Sequence, residues 1–330
     1  MPASERTVSI PANWVRPARI LFAAASHADE RAFACALSEA QEYRSKLILF
    51  HVFDVLATAT EDSAGLRSVD YERATLYATA ALEPLRQRAA ALGVDSEIVV
   101  KTGIAAEEIL TYARRHSIDR IVMASRVPGR MGKFFLGSVA EEVLRSAPVP
   151  VITVGPNALD PKVHGHRLRR ILCTVSHLNC ELQPVMLAAQ VARTLDAQLT
   201  ILHLIPPRAE SPLDPGCSTV TLEAELEKLL PKSVPREVQV RALSAEGSVA
   251  GEILYQARQR QSDLIVLGAH PASMLSTLTR QGMVNQVLAE SLCPVMTLKH
   301  VVPAESLAED ESALKNVDFL AESTWLAGIF

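Results

Sequence analysis

The chain has 330 residues, more than one hydrophobic core usually serves, so two domains are expected. Hydrophobic residues make up 48% of it and aromatic residues 5%, which is typical of a globular protein packed with Ala, Val, Leu and Ile. The formal net charge is −4 and the isoelectric point is about 6.2, which argues against a nucleic-acid-binding surface, and no stretch approaches the ~20 apolar residues that span a bilayer.

In chain order, the first half of the sequence predicts a strand at 20–25, a helix at 29–44, a strand at 47–53, a helix at 69–92, a strand at 96–101, a helix at 105–116, a strand at 120–124, a helix after Ser138 and a strand at 149–154. Continuous apolar strands that alternate with helices indicate a parallel sheet covered on both faces. Pro84 is expected to kink or split the second helix, because it lacks an N–H group and clashes with the preceding turn.

The same pattern occurs a second time. When the chain is displaced by about 144 residues, "GIAAEEILTYARRHSIDRIVM" from Gly103 aligns with "GSVAGEILYQARQRQSDLIVL" from Gly247. About fifteen of roughly fifty positions agree without a gap, which is more than chance gives and indicates a duplicated domain. The predicted organisation is an N-terminal arm at 1–17, a first domain at 18–155, a linker at 156–168, a second domain at 169–300 and an acidic C-terminal tail at 301–330.

The cysteines predict the compartment. They number five and form no C-x-x-C pair, so no disulfide framework is expected. The N-terminal residues lack the apolar core of a secretory signal. We therefore expect a cytoplasmic protein.

The repeated residues resemble the universal stress protein family in its tandem two-domain form. The resemblance covers about 18–155 and 168–300, and is carried by "ILFAAASHADE", "ILCTVSHLN", "GIAAEEIL", "GSVAGEIL" and "RIVMASRVPGRMGKFFLGSVAEEVLRSAPVPVITV". It implies an α/β fold of two tandem Rossmann-like (adenine nucleotide alpha hydrolase-like) domains, each a five-stranded parallel sheet with helices on both faces. It also implies that 148–154 contacts 293–298, so that the two domains form a pseudo-dimer within one chain.

The resemblance also indicates where a nucleotide would bind. ATP-binding members of the family carry an aspartate after the first strand and the pattern G-x-x-G-x(9)-G-[ST] after the fourth. In this chain neither domain keeps that set intact. The candidate nucleotide or phosphate site of the first domain consists of Ala25, Val52, Met123, Ala124, Arg126, Val127, Arg130, Lys133, Gly137, Ser138 and Val139. The degenerate equivalents in the second domain are Ser176, Leu204, Gly268, Pro271, Gln281 and Gly282.

The loop of the first domain combines features for and against phosphate binding. A helix that opens at Ser138 and a basic loop both favour an anion. Val127 is β-branched where the pattern has glycine, and Ala25 removes a carboxylate that could hold the base or ribose. In the structural alternative, Ser138 and Glu141 form a capping box and the basic side chains are a solvated surface.

The sequence gives little support for nucleophilic catalysis or for metal binding. Ser26-His27 and Ser176-His177 follow the two first strands, but neighbours in sequence do not make a nucleophile and its base. The histidines and cysteines offer no closed set of metal ligands. We expect no catalytic residues and no metal site.

These observations predict a non-enzymatic stress-response or regulatory protein with a degenerate nucleotide-binding loop, in which the first domain retains weak binding of ATP, AMP or phosphate. The alternatives are an ATP-binding switch with slow hydrolysis and a partner-binding adaptor that uses the tail at 301–330. The expected partners are the other domain, a second copy of the chain in a homodimer, and a protein bound through the tail. Neither nucleic acid nor a membrane is expected.

Overall fold

The computed structural model of the chain describes residues 10–25, 30–53, 67–125, 136–159, 168–175, 182–205, 223–224, 227–228, 238–245, 247–269 and 282–299. The elements of the first half are α1 (Ala12–Val15), β1 (Arg19–Ala24), α2 (Glu30–Tyr43), β2 (Lys46–Phe53), α3 (Arg67–Ala91), β3 (Ser96–Thr102), α4 (Ala105–Arg115), β4 (Arg120–Ala124), α5 (Ser138–Ser146) and β5 (Val151–Val154). Those of the second half are β6 (Arg170–Val175), α6 (Leu182–Leu195), β7 (Gln198–Ile205), β8 (Gln239–Ser244), α7 (Val249–Gln259), β9 (Leu264–Ala269), α8 (Met283–Glu290) and β10 (Val295–Lys299). None of the described helices combines the length and the apolar character needed to cross a membrane.

All ten of these strands form one sheet, in the order β3-β2-β1-β4-β5-β10-β9-β6-β7-β8. Strands of the same half are parallel, whereas β5 and β10 pair antiparallel where the two halves meet. The predicted α/β class with a parallel sheet in each half is confirmed, and so is the predicted contact between 148–154 and 293–298.

Two hydrophobic layers cover the faces of the sheet, because successive strand residues point to opposite sides. Ile20 and Phe22 pack into the layer that contains α2 and α6, whereas Leu21 packs into the layer that contains α4, α5, α7 and α8. Each layer runs across both halves of the chain. Burial of these side chains, worth about 25 cal/mol for each Å² of apolar surface, holds the two domains on a common sheet.

The junction between the domains has a local two-fold arrangement. Ile152 faces Met296, Thr153 faces Val295 and Thr297 faces Val151. The two threonines are equivalent in the repeat and both are buried. Their hydroxyl groups differ, because Thr297 Oγ1 donates to the main-chain oxygen of Val151 at 3.3 Å whereas Thr153 Oγ1 has no hydrogen-bond partner.

Opposite effects are therefore expected from the same substitution at these two positions. Thr153→Val should raise the free energy of unfolding by about 1 kcal/mol, because it replaces an unsatisfied buried hydroxyl with a methyl group. Thr297→Val should lower it by about 0.5–1 kcal/mol, because it removes a hydrogen bond. Urea unfolding of both variants beside the parent measures the difference, and a loss of stability in Thr153→Val would contradict the assignment.

The N-terminal arm is bound to both domains. Arg120 Nη2 donates to the main-chain oxygen of Trp14 at 2.7 Å, and Asn13 Nδ2 donates to Asp119 Oδ1 at 2.6 Å. On its other side α1 packs against α6 of the second domain. Ile10 and Val15 are buried in the layer that contains α6. The arm thus crosses from one half of the chain to the other.

The aspartates and glycines that are identical in the two copies of the repeat have structural roles. Asp119 Oδ2 accepts hydrogen bonds of 2.8 and 3.0 Å from the two N–H groups at the start of β1, and Asp263 Oδ2 accepts two of 2.9 Å at the start of β6. Gly103 and Gly247 have φ values of +147° and +105°, which side chains rarely permit. These shared residues position strands and turns, so the repeat by itself carries no information about a ligand.

Of the two outcomes expected at Pro84, a kink or a split, the split does not occur, since α3 is a single helix of 25 residues. Proline removes the hydrogen bond to the carbonyl oxygen four residues earlier. Ala80, which carries that oxygen, and Pro84 itself are both exposed, so water can satisfy the oxygen. Proline inside a helix still costs about 3 kcal/mol, and burial of Leu82, Leu85 and Ala89 stabilises the helix against this cost.

Candidate functional site

The candidate site of the first domain lies where the strand order reverses. The chain proceeds from β1 to β2 and β3 on one side, then crosses to β4 and β5 on the other. Ligands of open parallel sheets bind beyond the carboxyl ends of the strands at such a point. Ala25, which directly follows β1 and is half-buried, and Ala124, which ends the neighbouring β4, lie at this position.

Helix α5 begins beside the end of β4. The Gly137 N–H group donates to the main-chain oxygen of Ser125 at 3.0 Å, and Gly137 is the N-cap of the helix. Ser138 is the first helical residue, its side chain is exposed, and no side chain among the described residues caps this end. The capping box of Ser138 and Glu141 is therefore wrong, because Ser138 lies one position beyond the cap. The N–H groups of the first turn keep their capacity to bind an anion.

Gly137 is not required by the fold. Its φ is −65° and its ψ is 145°, an extended conformation open to any residue. Among the residues that the structure describes, a Cβ atom built on it would meet nothing closer than the Ser125 oxygen at 3.8 Å, an ordinary van der Waals distance. The absence of a side chain at Gly137 favours close approach of a ligand to the main-chain N–H groups of the helix.

Near the end of the second strand of each domain, a histidine makes a contact that the sequence analysis did not predict. His51 Nδ1 lies 2.8 Å from the main-chain oxygen of Ala24, and His203 Nδ1 lies 3.0 Å from that of Val175. A carbonyl oxygen only accepts, so Nδ1 is the protonated nitrogen of each ring. Each histidine fixes the end of the first strand of its domain, next to Ala25 in the first domain. The recurrence of a histidine at the end of β2 and β7 was the available signal.

Several predicted residues serve the core through their side chains. Met123 is buried, and Val52 and Val139 pack half-buried against the same hydrophobic layer. Contact of these three residues with a ligand would come from their main chain. Ser125, which holds Gly137, was not among the predicted residues, because the contact is made by its main-chain oxygen.

The remaining candidates divide between the described residues and those outside them. In the second domain, Leu204 is buried in β7, Gly268 lies in β9 and Gly282 is the N-cap of α8. The candidates outside the described residues are Arg126, Val127, Arg130, Lys133, Ser176, Pro271 and Gln281.

The cysteines that the structure describes are unsuited to nucleophilic chemistry. Cys35, Cys173 and Cys293 are buried and form no disulfide with one another. Burial raises the pKa of Cys293 to about 12, and burial followed by the charge of Glu39 raises that of Cys35 still further. Both remain thiols near neutral pH, whereas a reactive cysteine is a thiolate.

Comparison with known proteins identifies the family. Residues 18–155 and 167–299 both match the Universal stress protein family. A universal stress protein of Thermus aquaticus, encoded in the QAH/OAS sulfhydrylase 3′ region, is 34% identical over 127 residues, which is 38% of this chain and 88% of the relative. Universal stress protein YxiE of Bacillus subtilis is 28% identical over 131 residues, again 38% of this chain and 88% of the relative.

Solved structures give the same answer for the fold. A universal stress protein of Archaeoglobus fulgidus superposes with a TM-score of 0.65 at 20% identity, over 85% of this chain and 98% of that one. At this identity the likeness shows the fold alone. The two family matches together cover most of the sequence, and membership supports a role in the stress response. The chain therefore belongs to the universal stress protein family and carries two of its domains in tandem.

Proposed function

We propose that this chain is a non-enzymatic stress-response protein whose first domain retains a weak site for ATP, AMP or phosphate. The second domain serves as a scaffold in this proposal. The observation that carries it is the uncapped start of α5, where the N–H groups of the first turn, the exposed Ser138 and the small Gly137 lie together. A helix N-terminus of this kind stabilises a phosphate through its unpaired donors and its dipole.

The site would bind weakly because half of the family's recognition set is absent. Ala25 offers a methyl group where ATP-binding members have a carboxylate, so the base and ribose lose an anchor. The phosphate groups would be held by the start of α5, by Ser138 and by Arg126, Arg130 and Lys133 of the preceding loop. Phosphate contacts without a base anchor favour modest affinity and low selectivity among nucleotides.

Two matched serine variants test the site. Ser138→Ala should leave the free energy of unfolding unchanged, because this side chain caps nothing, and should weaken nucleotide binding about fivefold or more. Ser248→Ala should lower stability by about 1 kcal/mol and leave nucleotide binding unchanged, because Ser248 Oγ caps α7 by accepting from the Gly251 N–H at 3.0 Å. Calorimetric titration with ATP and AMP, together with urea unfolding, separates the two effects.

Arg130→Ala and Lys133→Ala form a second pair in the same titration, and each is expected to lose most of the binding. Absence of any heat or thermal shift with ATP, AMP and phosphate in the parent protein would reject the nucleotide site. Equal weakening by Ser138→Ala and Ser248→Ala would reject its location.

We further propose that the two domains of this chain act as the two subunits of a single-domain relative, since family members often form homodimers. The antiparallel pair of β5 and β10 supports this arrangement. Tethering keeps the local concentration of one domain near the other high. The domain boundaries 1–17, 18–155, 156–168, 169–300 and 301–330 and a cytoplasmic location belong to the same proposal. The described cysteines form no disulfide with one another, which supports the cytoplasmic location.

A further inference from the structure

A cleft lies between the N-terminal arm and the second domain, on elements that take no part in the candidate nucleotide site. Its volume is about 280 Å³. Ala12, Val15 and Arg16 line it from the arm, and Gln190, Arg193 and Thr194 line it from the last part of α6. The arm wall is fixed in place, because Trp14 and Asn13 are hydrogen-bonded to the first domain.

The lining that the structure describes is positively charged and includes no carboxylate. Arg16 and Arg193 are both exposed to the cleft and solvent, and neither forms an ion pair or a side-chain hydrogen bond within the described residues. Asp196, three residues beyond Arg193, does not pair with it. Two like charges on opposite walls of one cleft repel each other, and an anion between them would relieve that repulsion.

The donors of the cleft match a phosphate group. A guanidinium presents a planar fork of N–H donors that binds phosphate in a bidentate manner. The Gln190 amide and the Thr194 hydroxyl add neutral donors, while Ala12 and Val15 contribute a short apolar wall. The volume lies at the lower limit of small-molecule pockets, which favours a compact ligand over an intact nucleotide triphosphate.

We propose that this cleft binds a phosphate group, either as inorganic phosphate or as a small phosphate monoester, between Arg16 and Arg193. The bound phosphate links the arm to α6 and so strengthens the connection between the domains. Both arginines are required. Arg193 lies in the last turn of α6, where the partial negative charge of the helix end repels an anion. One guanidinium would have to offset this repulsion as well as attract the phosphate, so a second one is needed.

Calorimetric titration with inorganic phosphate and with glycerol 3-phosphate, at constant ionic strength, tests the proposal. The double variant Arg130→Ala/Lys133→Ala serves as the background, because each substitution is expected to remove most of the binding at the candidate nucleotide site and so separates the cleft from it. In that background one saturable event is expected, and Arg16→Gln or Arg193→Gln should weaken it about tenfold or more. Arg258→Gln, an exposed arginine in the last turn of α7, is the matched control and should change nothing.

Hydrogen exchange of residues 10–18 provides a second readout. Phosphate should slow exchange in this segment of the parent protein and have no effect in Arg193→Gln, whose substitution lies outside the arm. Tighter binding of glycerol 3-phosphate would identify a monoester as the ligand, and tighter binding of inorganic phosphate would identify the free ion. No saturable binding in the Arg130→Ala/Lys133→Ala background, or equal binding in the Arg16→Gln, Arg193→Gln and Arg258→Gln variants, would overturn the proposal.

Discussion

Replacing Arg120 with alanine is expected to lower the free energy of unfolding by about 3–5 kcal/mol, the largest effect that we predict for a single side chain. The Arg120 side chain is fully buried and pairs through Nη1 with Glu39 Oε2, on a side chain that is 7% exposed. Alanine would leave this carboxylate inside the protein without a partner, which costs more than the net value of the pair itself.

The ion pair is part of a buried network that reaches the arm. Arg120 Nη2 donates to the Trp14 oxygen, and the guanidinium carbon lies 5.2 Å from the centre of the Tyr43 ring. Burial acts to lower the pKa of Arg120, but the charge of Glu39 and the Tyr43 hydroxyl outweigh it, and the pKa lies above its ordinary value. Arg120 therefore stays charged at any pH at which the protein is folded.

The second domain has apolar residues at the positions equivalent to this ion pair. Alignment of α2 with α6 puts Val191 at the position of Glu39, and alignment of β4 with β9 puts Leu264 at the position of Arg120. Both of these residues are buried. The fold accepts an apolar pair here, as expected if a buried ion pair adds little net stability.

The double variant Glu39→Val/Arg120→Leu tests whether an apolar pair can replace the buried ion pair. It should lie within about 1 kcal/mol of the parent, whereas Glu39→Val and Arg120→Leu alone should each lose several kcal/mol. Urea unfolding followed by circular dichroism gives the four free energies of the cycle. A double variant as unstable as the single ones would show that the network is needed for more than mutual neutralisation.

Gly155→Ala is expected to destabilise the protein by about 2–3 kcal/mol through overpacking of the junction between the domains. A Cβ atom at Gly155 would lie 2.4 Å from the main-chain oxygen of Leu288, a distance that Cβ contacts essentially never reach. The obstacle is main chain at the end of α8, so no side-chain rotation removes it. The linker or the helix end has to move.

Neighbouring hydrogen bonds would be disturbed together with Gly155. Asn157 Nδ2 donates to the Ala289 oxygen at 3.0 Å, and the Leu159 N–H group donates to the Leu292 oxygen at 2.8 Å. These contacts let the first residues after β5 cover the end of a helix from the other domain. We therefore expect faster hydrogen exchange in 155–159 and 287–293 of the variant, with less change in the first-domain strands.

Gly137→Ala is the matched control for this stability measurement. Among the described residues its Cβ atom would meet nothing closer than 3.8 Å and its φ is not positive, so the expected loss is about 0.5–1 kcal/mol, the cost of alanine at a helix N-cap. Similar losses in both glycine variants would show that alanine acts through helix or loop propensity and not through the contact with Leu288.

The duplicated α/β fold could be predicted because its signals are local and repeated. Apolar runs locate the strands, Gly103 and Gly247 mark equivalent turns, and the valine-rich last strands indicate the pairing at the junction. The docking of the arm could not be predicted in this way. It depends on Arg120 meeting the main-chain oxygen of Trp14, which any residue at position 14 would supply.

For the candidate site, the sequence could predict which chain segments meet but not how their side chains are used. The end of β1 and the start of α5 follow from the strand order and the motif. The role of Ser138 did not follow, because a shift of one residue decides whether a hydroxyl caps the helix or faces outward. The contribution of Ser125 comes from a main-chain oxygen, which carries no sequence signal.

The antiparallel pairing of β5 with β10 also governs what the two domains can do together. It directs the carboxyl ends of the two sets of strands to opposite rims of the sheet, so a molecule held at one rim is remote from a molecule held at the other. A single small ligand cannot engage both domains through these rims. Any effect of a ligand at one rim on the other domain has to pass through what the domains share, which is the β5–β10 pair, the two hydrophobic layers and the N-terminal arm.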